Sequence, residues 1–443
     1  MLVDTDVVTC FLRHRGELLL LRRSGKVGSY RGLWGAVAGY VEGSDPDSSA
    51  LREIAEETGL RAGLAPSARG EPFPVEDFEL GKRWIVHPYL FDSPGRDLRL
   101  DWESSEGEWV SPTEILRRDT VPGLWKSYRT VAPTLQSLSA DRRHGSAYLS
   151  LRALEILRDR AGALAMESAA DASSWRELVD LAKRLLEARP SMSALSNRVH
   201  RVMHRVSSDP IPRRLEAEAH AAISRALDDD DRAADRASAL VAGKRVLTFS
   251  RSGTVTEALL RARPRPEVVV AESRPGKEGV SLAEELSAAG MAVTLIADAG
   301  IVDALEGLAV QVLLVGADSV LPSGSVVNKI GTRLAAIAAH AVSGHPVPVY
   351  AAAATDKIST REDLALEMAD AHELYGGSAK VLVRNPLFEV TPADQIRGIA
   401  TERGILTPRE IEPIARELLG LASWKDGERD IPSPPSEAGG GAL

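Results

Sequence analysis

The chain has 443 residues, 44% hydrophobic and 26% charged, the balance of a globular protein long enough for two to four domains at roughly 100–200 residues each. Lys plus Arg number 54 against 63 Asp plus Glu, a net charge of -9, which excludes the basic excess needed to coat nucleic acid or an anionic membrane. The one cysteine, Cys10, excludes an internal disulfide and a multi-thiolate metal site.

The opening MLVDTDVVTCFL carries early acids and no basic region ahead of an apolar run, so it does not read as a signal peptide. No run approaches the roughly 18 apolar residues of a membrane span, and the expected location is cytoplasmic. Residues 1–135 are predicted to be strand-rich. Val7–Leu12 and Glu17–Leu21 flank a turn at Arg13-His14-Arg15-Gly16, and a helix follows over Ser48–Thr58. Trp84–Phe91 and Glu108–Val110 read as further strands. Trp34, Trp109 and Trp125 read as packing residues, one of them available to a base.

Residues 136–245 are predicted helical, from Leu149, Ala153, Leu157, Ala161 and Leu164 and again from Leu178, Leu181 and Leu185. Pro190, Pro210 and Pro212 break these helices. Asp228–Asp231 reads as a solvated loop or helix cap. His200 and His204 sit four apart, with no evident third ligand for a metal.

Residues 246–422 alternate between apolar strands and helices. Strands are predicted at Val246–Phe249, Val268–Ala271, Val293–Ala297, Val312–Val315, Val347–Ala351 and Val381–Val383, and helices separate most of them. This is the pattern of a largely parallel, doubly wound sheet. Residues 423–443, rich in Pro, Gly, Ser and charge, are expected to form a disordered tail. The expected fold class is therefore α/β multidomain.

Two clusters carry chemistry. On the helix over Ser48–Thr58, Glu53 and Glu57 share a face and Glu56 lies beside them, an all-oxygen set suited to Mg²⁺ or Mn²⁺. The bare spacing equally suits a solvated acidic face. Arg52, four residues before Glu56, is placed to hold that carboxylate, and Gly59 to close the helix. In the parallel-sheet segment, polar residues gather at strand ends, where ligands of such sheets bind. They are Ser250, Arg251, Ser252 and Thr254; Arg274 and Lys277; Asp298; Asp318; and Thr355-Asp356-Lys357. Hydroxyls, backbone amides and cations together suit a phosphate.

The segment GYVEGSDPDSSALREIAEETGL (39–60) resembles the Nudix box, with its core R-E-x-x-E-E-x-G, and the resemblance extends over roughly 5–135. It implies a mixed-sheet α/β/α sandwich that hydrolyses nucleoside-diphosphate-linked compounds with Mg²⁺. Glu53, Glu56 and Glu57 would be the metal ligands, Arg52 a catalytic neighbour, and Glu106 or Glu108 would complete the site or supply a base. The box is one residue short between Gly39 and Arg52. Ser44 stands where the family has a glutamate, with Glu42 beside it.

Residues 140–420 resemble the translation initiation factor 2B alpha/beta/delta subunits and the related ribose-1,5-bisphosphate and methylthioribose-1-phosphate isomerases. The resemblance lies in TFSRSGTV (248–255), ESRPGKEG (272–279), VGADSVLPSGSVVNKIGT (315–332), RNPLFEVTP (384–392) and ATERG (400–404), with DRRHGSAYLSLRALEILRD (141–159) ahead of them. It implies a helical bundle, a Rossmann-like domain and a homo-oligomer. It also implies sugar-phosphate binding near Ser250–Thr254, Arg274, Asp318, Asn328 and Lys329. In the isomerases a Cys and an Asp perform the chemistry. Asp318 matches the Asp, but Ser250 stands at the Cys position, and an Arg-Gly pair appears as His144-Gly145.

A serine hydroxyl is a far weaker acid than a thiol of pKa about 8.5. Binding of a phosphorylated sugar or nucleotide is therefore expected ahead of isomerisation. The leading expectation is a Nudix-type hydrolase fused to a factor-2B-like binding and oligomerisation module, with no membrane or direct nucleic-acid partner. The alternatives are a non-catalytic regulatory protein of factor-2B type and a ribose-1,5-bisphosphate-type isomerase.

Overall fold

The computed structural model describes residues 2–43, 45–60, 64–141, 144–167, 172–342 and 346–430. Ser44 and residues 431–443 of the expected tail lie outside the described residues. The chain divides into two compact units. One comprises Met1–Arg142, Leu151–Ala188 and Ile211–Leu227; the other comprises Arg143–Ser150, Arg189–Pro210 and Asp228–Leu443. The helical segment is thus shared between the two units.

In the first unit, strands β1 (Val3–His14), β2 (Glu17–Arg23), β3 (Trp34–Gly35), β4 (Val37–Tyr40), β5 (Pro66–Arg69), β6 (Phe73–Asp77), β7 (Lys82–Asp92) and β8 (Ser104–Val110) form one mixed sheet. β1 and β7 run parallel at its centre, and β2 pairs antiparallel with β1. Arg15 (φ 50°) and Gly16 (φ 82°) form the two-residue turn between β1 and β2, whose left-handed backbone matches strand twist.

Alternation along β1 and β2 sends side chains to two apolar layers. Val8, Cys10, Leu12, Leu19 and Leu21 pack with Ala50 and Ile54 of helix α1 (Pro46–Thr58). Phe11, Leu18 and Leu20 pack with Leu124, Tyr128 and Val131 of α2 (Leu124–Val131). Short α3 (Leu135–Ala140) follows. Helices α4 (Ser146–Glu167), α5 (Ala172–Ala188), α6 (Ser193–Val206) and α7 (Pro212–Val241) make up the helical segment, broken at the expected prolines.

The second unit is built on a seven-stranded sheet in the order β11–β10–β9–β12–β15–β17–β18. Its strands are β9 (Arg245–Phe249), β10 (Glu267–Ala271), β11 (Val293–Ile296), β12 (Val312–Gly316), β15 (Val349–Ala352), β17 (Gly398–Thr401) and β18 (Gly404–Leu406), parallel except for β18. Helices α8 (Gly253–Arg261), α9 (Glu278–Ala288), α10 (Ile301–Gly307), α11 (Thr332–Ala341) and α12 (Ile411–Gly420) accompany it, and β13 (Ser319–Val320), β14 (Val326–Lys329) and β16 (Phe388–Thr391) form a small separate sheet. Strand order reverses between β9 and β12, which opens a crevice at their carboxyl ends.

Three expectations are corrected. Val381–Val383 is not a strand: Leu382 is 98% exposed, and β17, where Gly398 and Ala400 alternate with Ile399 and Thr401, takes the place beside β15. Burial against neighbouring strands outweighed local propensity there. Asp228–Asp231 lies inside α7 instead of in a loop, and arginines take up its charge: Asp229 pairs with Arg232, Asp230 with Arg198 at 3.4 Å and Asp231 with Arg261 at 2.5 Å. The start of the expected tail is ordered as a 3₁₀ segment over Leu421–Asp430, with Trp424 buried and its Nε1–H donating to His200 Nδ1 at 2.9 Å. No helix among the described residues is long and apolar enough to cross a membrane.

Candidate functional sites

Helix α1 begins at Asp45, whose carboxylate accepts from the N–H groups of Asp47 and Ser48, and ends at Gly59 in the left-handed conformation (φ 77°). One helical face sinks Ile54 and Glu57 towards the sheet. The buried Glu57 carboxylate accepts from the Ala38 backbone N–H of β4 at 2.9 Å. Burial pushes its pKa up to about 8; the Ala38 bond opposes this, and Glu103, Asp101 and Glu53 add to it.

Glu53 is raised as well, by burial first, with Arg52 opposing. Its carboxyl group lies against Gly39, where a Cβ would fall 2.0 Å from Cδ. Arg52 grips Glu42 (2.5 Å) and Glu53 (2.8 Å), not the exposed Glu56 that the spacing suggested. Glu42, from the loop ahead of α1, and the adjacent Glu53 take up the guanidinium instead.

The structure does not bring Glu106 and Glu108 to this cluster. β8 pairs with β2 so that Glu108 stands opposite Leu20 and Glu106 opposite Arg22, and directly opposed residues share a sheet face. Leu20 belongs to the layer away from α1. Glu108 pairs with Arg118 at 2.6 Å and Glu106 with Arg22 at 3.6 Å. The carboxylates outside α1 whose charge bears on Glu57 are Glu103 and Asp101, from the turn ahead of β8. Their only sequence signal was a local concentration of acids. Among the described residues, no group of three or more His, Cys, Asp or Glu stands ready-made to hold a metal.

β4 also borders a cleft of about 120 Å³ lined by Thr9, Arg23, Tyr30, Ala38, Gly39, Tyr40, Val75, Trp84 and Val121, among others. Trp34 and Trp125 pack into the α2 layer and Trp109 into the α1 layer, as expected of packing residues.

In the second unit the strand-end residues converge around the crevice. Ser250 is buried in a left-handed conformation (φ 64°), and its N–H donates to Ser273 Oγ at 2.7 Å; Ser273 is itself left-handed (φ 63°). Asp298 accepts from the N–H groups of Ser273 (2.8 Å) and Arg274 (2.7 Å), fixing the loop after β10. Ser252 lies so near Gly316 that a Cβ there would fall 2.6 Å from its own Cβ, and Asn328 Oδ1 would be 3.7 Å away. Asn328 Nδ2 donates to Thr332 Oγ1 at 3.0 Å, and Thr254 is buried in the first turn of α8.

Lys329 pairs with Glu278, the first residue of α9. Burial raises the pKa of Asp318, while Lys357 and Lys329 oppose the rise and Ser146 adds hydrogen bonds to it. Lys357 is buried, its Nζ donating to Ala317 O at 2.7 Å. Arg251 is held by Glu285 at 2.9 Å; Arg274 and Lys277 are exposed. Ser146 was not singled out in the sequence, because a serine ahead of an apolar helix looks like an ordinary capping residue, and Glu278 was legible there only as part of the strand-end stretch 272–279.

Comparison with known proteins bears on both sites. The sequence model of the Initiation factor 2 subunit family matches residues 142–408, and that of the NUDIX domain matches residues 3–131. A methylthioribose-1-phosphate isomerase of Gemmatimonas aurantiaca is 36% identical over 251 residues, 52% of this chain and 72% of the relative. A ribose 1,5-bisphosphate isomerase of Haloferax volcanii is 32% identical over 315 residues, 66% of this chain and 93% of the relative. The crystal structure of a translation initiation factor eIF-2B from Pyrococcus horikoshii OT3 superposes with a TM-score of 0.53 at 30% identity, covering 62% of this chain and 97% of that one. The chain therefore belongs to the Initiation factor 2 subunit family and carries a NUDIX domain ahead of the family region.

Proposed function

We propose that the chain is a Mg²⁺- or Mn²⁺-dependent hydrolase of a nucleoside-diphosphate-linked compound, joined to a module that binds a phosphorylated sugar or nucleotide and assembles into homo-oligomers. The observation that carries the hydrolase reading is the buried Glu57 carboxylate. Glu103, Asp101 and Glu53 disfavour its charge, and a single backbone N–H opposes them. This all-oxygen set has the chemistry of a hard-cation site. Glu53, Glu56 and Glu57 would hold the ion, which when bound neutralises diphosphate charge and acidifies the attacking water. Ala38 orients Glu57, and Arg52 steadies Glu53 while Gly39 leaves room for it.

The test is a screen of nucleoside diphosphate derivatives with purified full-length protein. Metal-dependent release of a nucleoside monophosphate, lost in Glu57→Gln by at least 100-fold (~2.7 kcal/mol of barrier), is the expected result. Absence of metal-dependent turnover across the screen refutes the reading.

At the strand-end site, Asp318 between Lys329 and Lys357 also suits sugar-phosphate isomerisation, the activity named for two of the relatives. Ser250 weighs against it, since its hydroxyl cannot readily replace the low-pKa proton donor that the resemblance places there. We expect pentose phosphates to bind and ribose 1,5-bisphosphate to remain unconverted; robust formation of ribulose 1,5-bisphosphate would reverse that preference.

A further inference from the structure

Asp318 follows β12 and depends on two turns that come from elsewhere in the same compact unit. The start of α4 brings Ser146, whose backbone and hydroxyl hydrogen-bond it, with Gly145 just ahead, where a Cβ would fall 3.9 Å from Asp318 Oδ1. The 3₁₀ turn Thr355–Lys357, after β15, brings Lys357, whose Nζ donates to Ala317 O at 2.7 Å. Lys329 of β14, itself paired with Glu278, is a further cation acting on Asp318. The titratable His144, ahead of Gly145, stacks on Tyr148 with ring centres 4.1 Å apart. Burial favours the protonated Asp318, whereas both lysines and Ser146 favour its carboxylate.

One side chain holds both turns. Arg198, on α6, is only 2% exposed. Its Nη1 donates to Ser150 Oγ at 2.7 Å and to Ala147 O at 3.4 Å, both near the start of α4. Its Nε donates to Asp356 Oδ2 at 3.2 Å, inside the Thr355–Lys357 turn, and its Nη2 to Asp230 Oδ2 of α7 at 3.4 Å. The neighbouring Asn197 clamps the second turn. Its Nδ2 donates to Asp356 O at 2.8 Å and to Ile358 O at 2.7 Å, on either side of Lys357. Arg201 adds another ion pair to Asp356. An apolar side chain of the same volume would fill the place of Arg198 about as stably. A guanidinium instead fixes direction, because its planar fork aims several donors at once. Buried as it is, Arg198 does not reach a ligand in the crevice, yet both groups it holds in place bear on Asp318.

We propose that Arg198 is the positioning residue of the strand-end site: it locks the start of α4 to the Thr355–Lys357 turn, so that Ser146 and Lys357 converge on Asp318 where a phosphorylated sugar binds. The proposal rests on the sugar-phosphate reading for its ligand, but the ionisation of Asp318 tests it with no ligand present. If the lock slips, Asp318 loses the help of Lys357 and Ser146 while it stays buried. Its proton is then held to higher pH.

Full-length, ligand-free protein with isotopically labelled aspartate carboxyl groups is titrated with acid by NMR, as wild type, Arg198→Lys and Ser150→Ala. The Asp318 signal is assigned by its loss in Asp318→Asn. Neither Arg198→Lys nor Ser150→Ala alters the net charge, so a shift reports position. In Arg198→Lys the Asp318 midpoint is expected to move to higher pH by about half a unit or more, a threefold gain in proton affinity. Ser150→Ala, which removes one hydroxyl that Arg198 holds, shifts it the same way by less and carries the test if Arg198→Lys does not fold. In calorimetric titration, ribose 1,5-bisphosphate is expected to bind the folded variant about tenfold more weakly than wild type. An unmoved midpoint overturns the proposal, since Arg198 would then only fill the core. A moved midpoint with undiminished affinity overturns it too. A moved midpoint in a protein whose wild type binds no ribose 1,5-bisphosphate would refute the sugar-phosphate reading and leave the lock on Asp318 standing.

Discussion

Burial of the Glu57 carboxyl among Glu103, Asp101 and Glu53 has a consequence for stability as well as for chemistry. Its folded pKa, about 8, lies well above the roughly 4.3 of an unfolded glutamate. As pH rises between those values the unfolded chain releases the proton while the folded chain keeps it, so metal-free stability falls across that window. Glu57→Gln removes the penalty. In thermal scans with chelator, the variant is expected to unfold later than wild type near pH 8. The gain should equal ~4–5 kcal/mol, since each tenfold difference in proton affinity between folded and unfolded chain is worth about 1.4 kcal/mol. Below about pH 4 the two should nearly coincide, and a constant offset at every pH would contradict this account.

Residue identity at this site was partly legible in the sequence. Glu53, Glu56 and Glu57 are fixed by helical periodicity, which is local. Glu103 and Asp101 are brought in by a turn far along the chain. Glu108 carries the right chemistry but faces the other layer, because its side is set by register with Leu20 of β2.

At the scale of elements, the strand-end site depends on how closely helices approach the sheet. At Gly279, in the first turn of α9, a Cβ would fall 1.8 Å from the backbone oxygen of Ala271 at the end of β10. A carbonyl of a central strand cannot swing aside as a side chain can. Gly279→Ala is therefore expected to push α9 off the sheet at about 1–3 kcal/mol. It would carry Glu278 and its partner Lys329 out of place, so affinity for a pentose phosphate should drop together with stability in denaturant titrations. Unchanged binding and stability would mean that α9 docks with more freedom than this contact allows. Strand prediction failed where propensity and burial disagreed. Val381–Val383 has the stronger local preference for extended structure, but β17 finds the partner strand that buries it.

At the scale of the molecule, the N-terminal sheet and part of the helical segment share one compact unit, joined by buried charge. Arg158 of α4 donates to Asp159 at 2.8 Å and to the Gly16 carbonyl of the β1–β2 turn at 2.6 Å. Tyr128 donates to Asp159 at 2.7 Å, and Arg13 of β1 pairs with Glu155 at 3.2 Å. Removing one member of such a network strands the others without water. Arg158→Ala is expected to cost about 3–5 kcal/mol, seen as a lower midpoint in chemical denaturation. Residues 1–135 expressed alone would lack Glu155, Arg158 and Asp159 and should fail to fold stably; a well-folded, active fragment would refute this.

By itself the sequence determined what repeats along the chain or sits within a few residues. It specified an α/β multidomain protein, the carboxylate face of α1, the parallel-sheet alternation and the strand-end hydroxyls and cations, because helical and strand periods are local. Only the tertiary structure decided which acids' charges bear on Glu57, that Arg52 holds Glu42 and Glu53, that the aspartates of α7 are taken up by arginines, and that Tyr30, Tyr40 and Trp84 form one wall. Those outcomes depend on register, on which face a side chain reaches, and on competition among distant partners for the same charge.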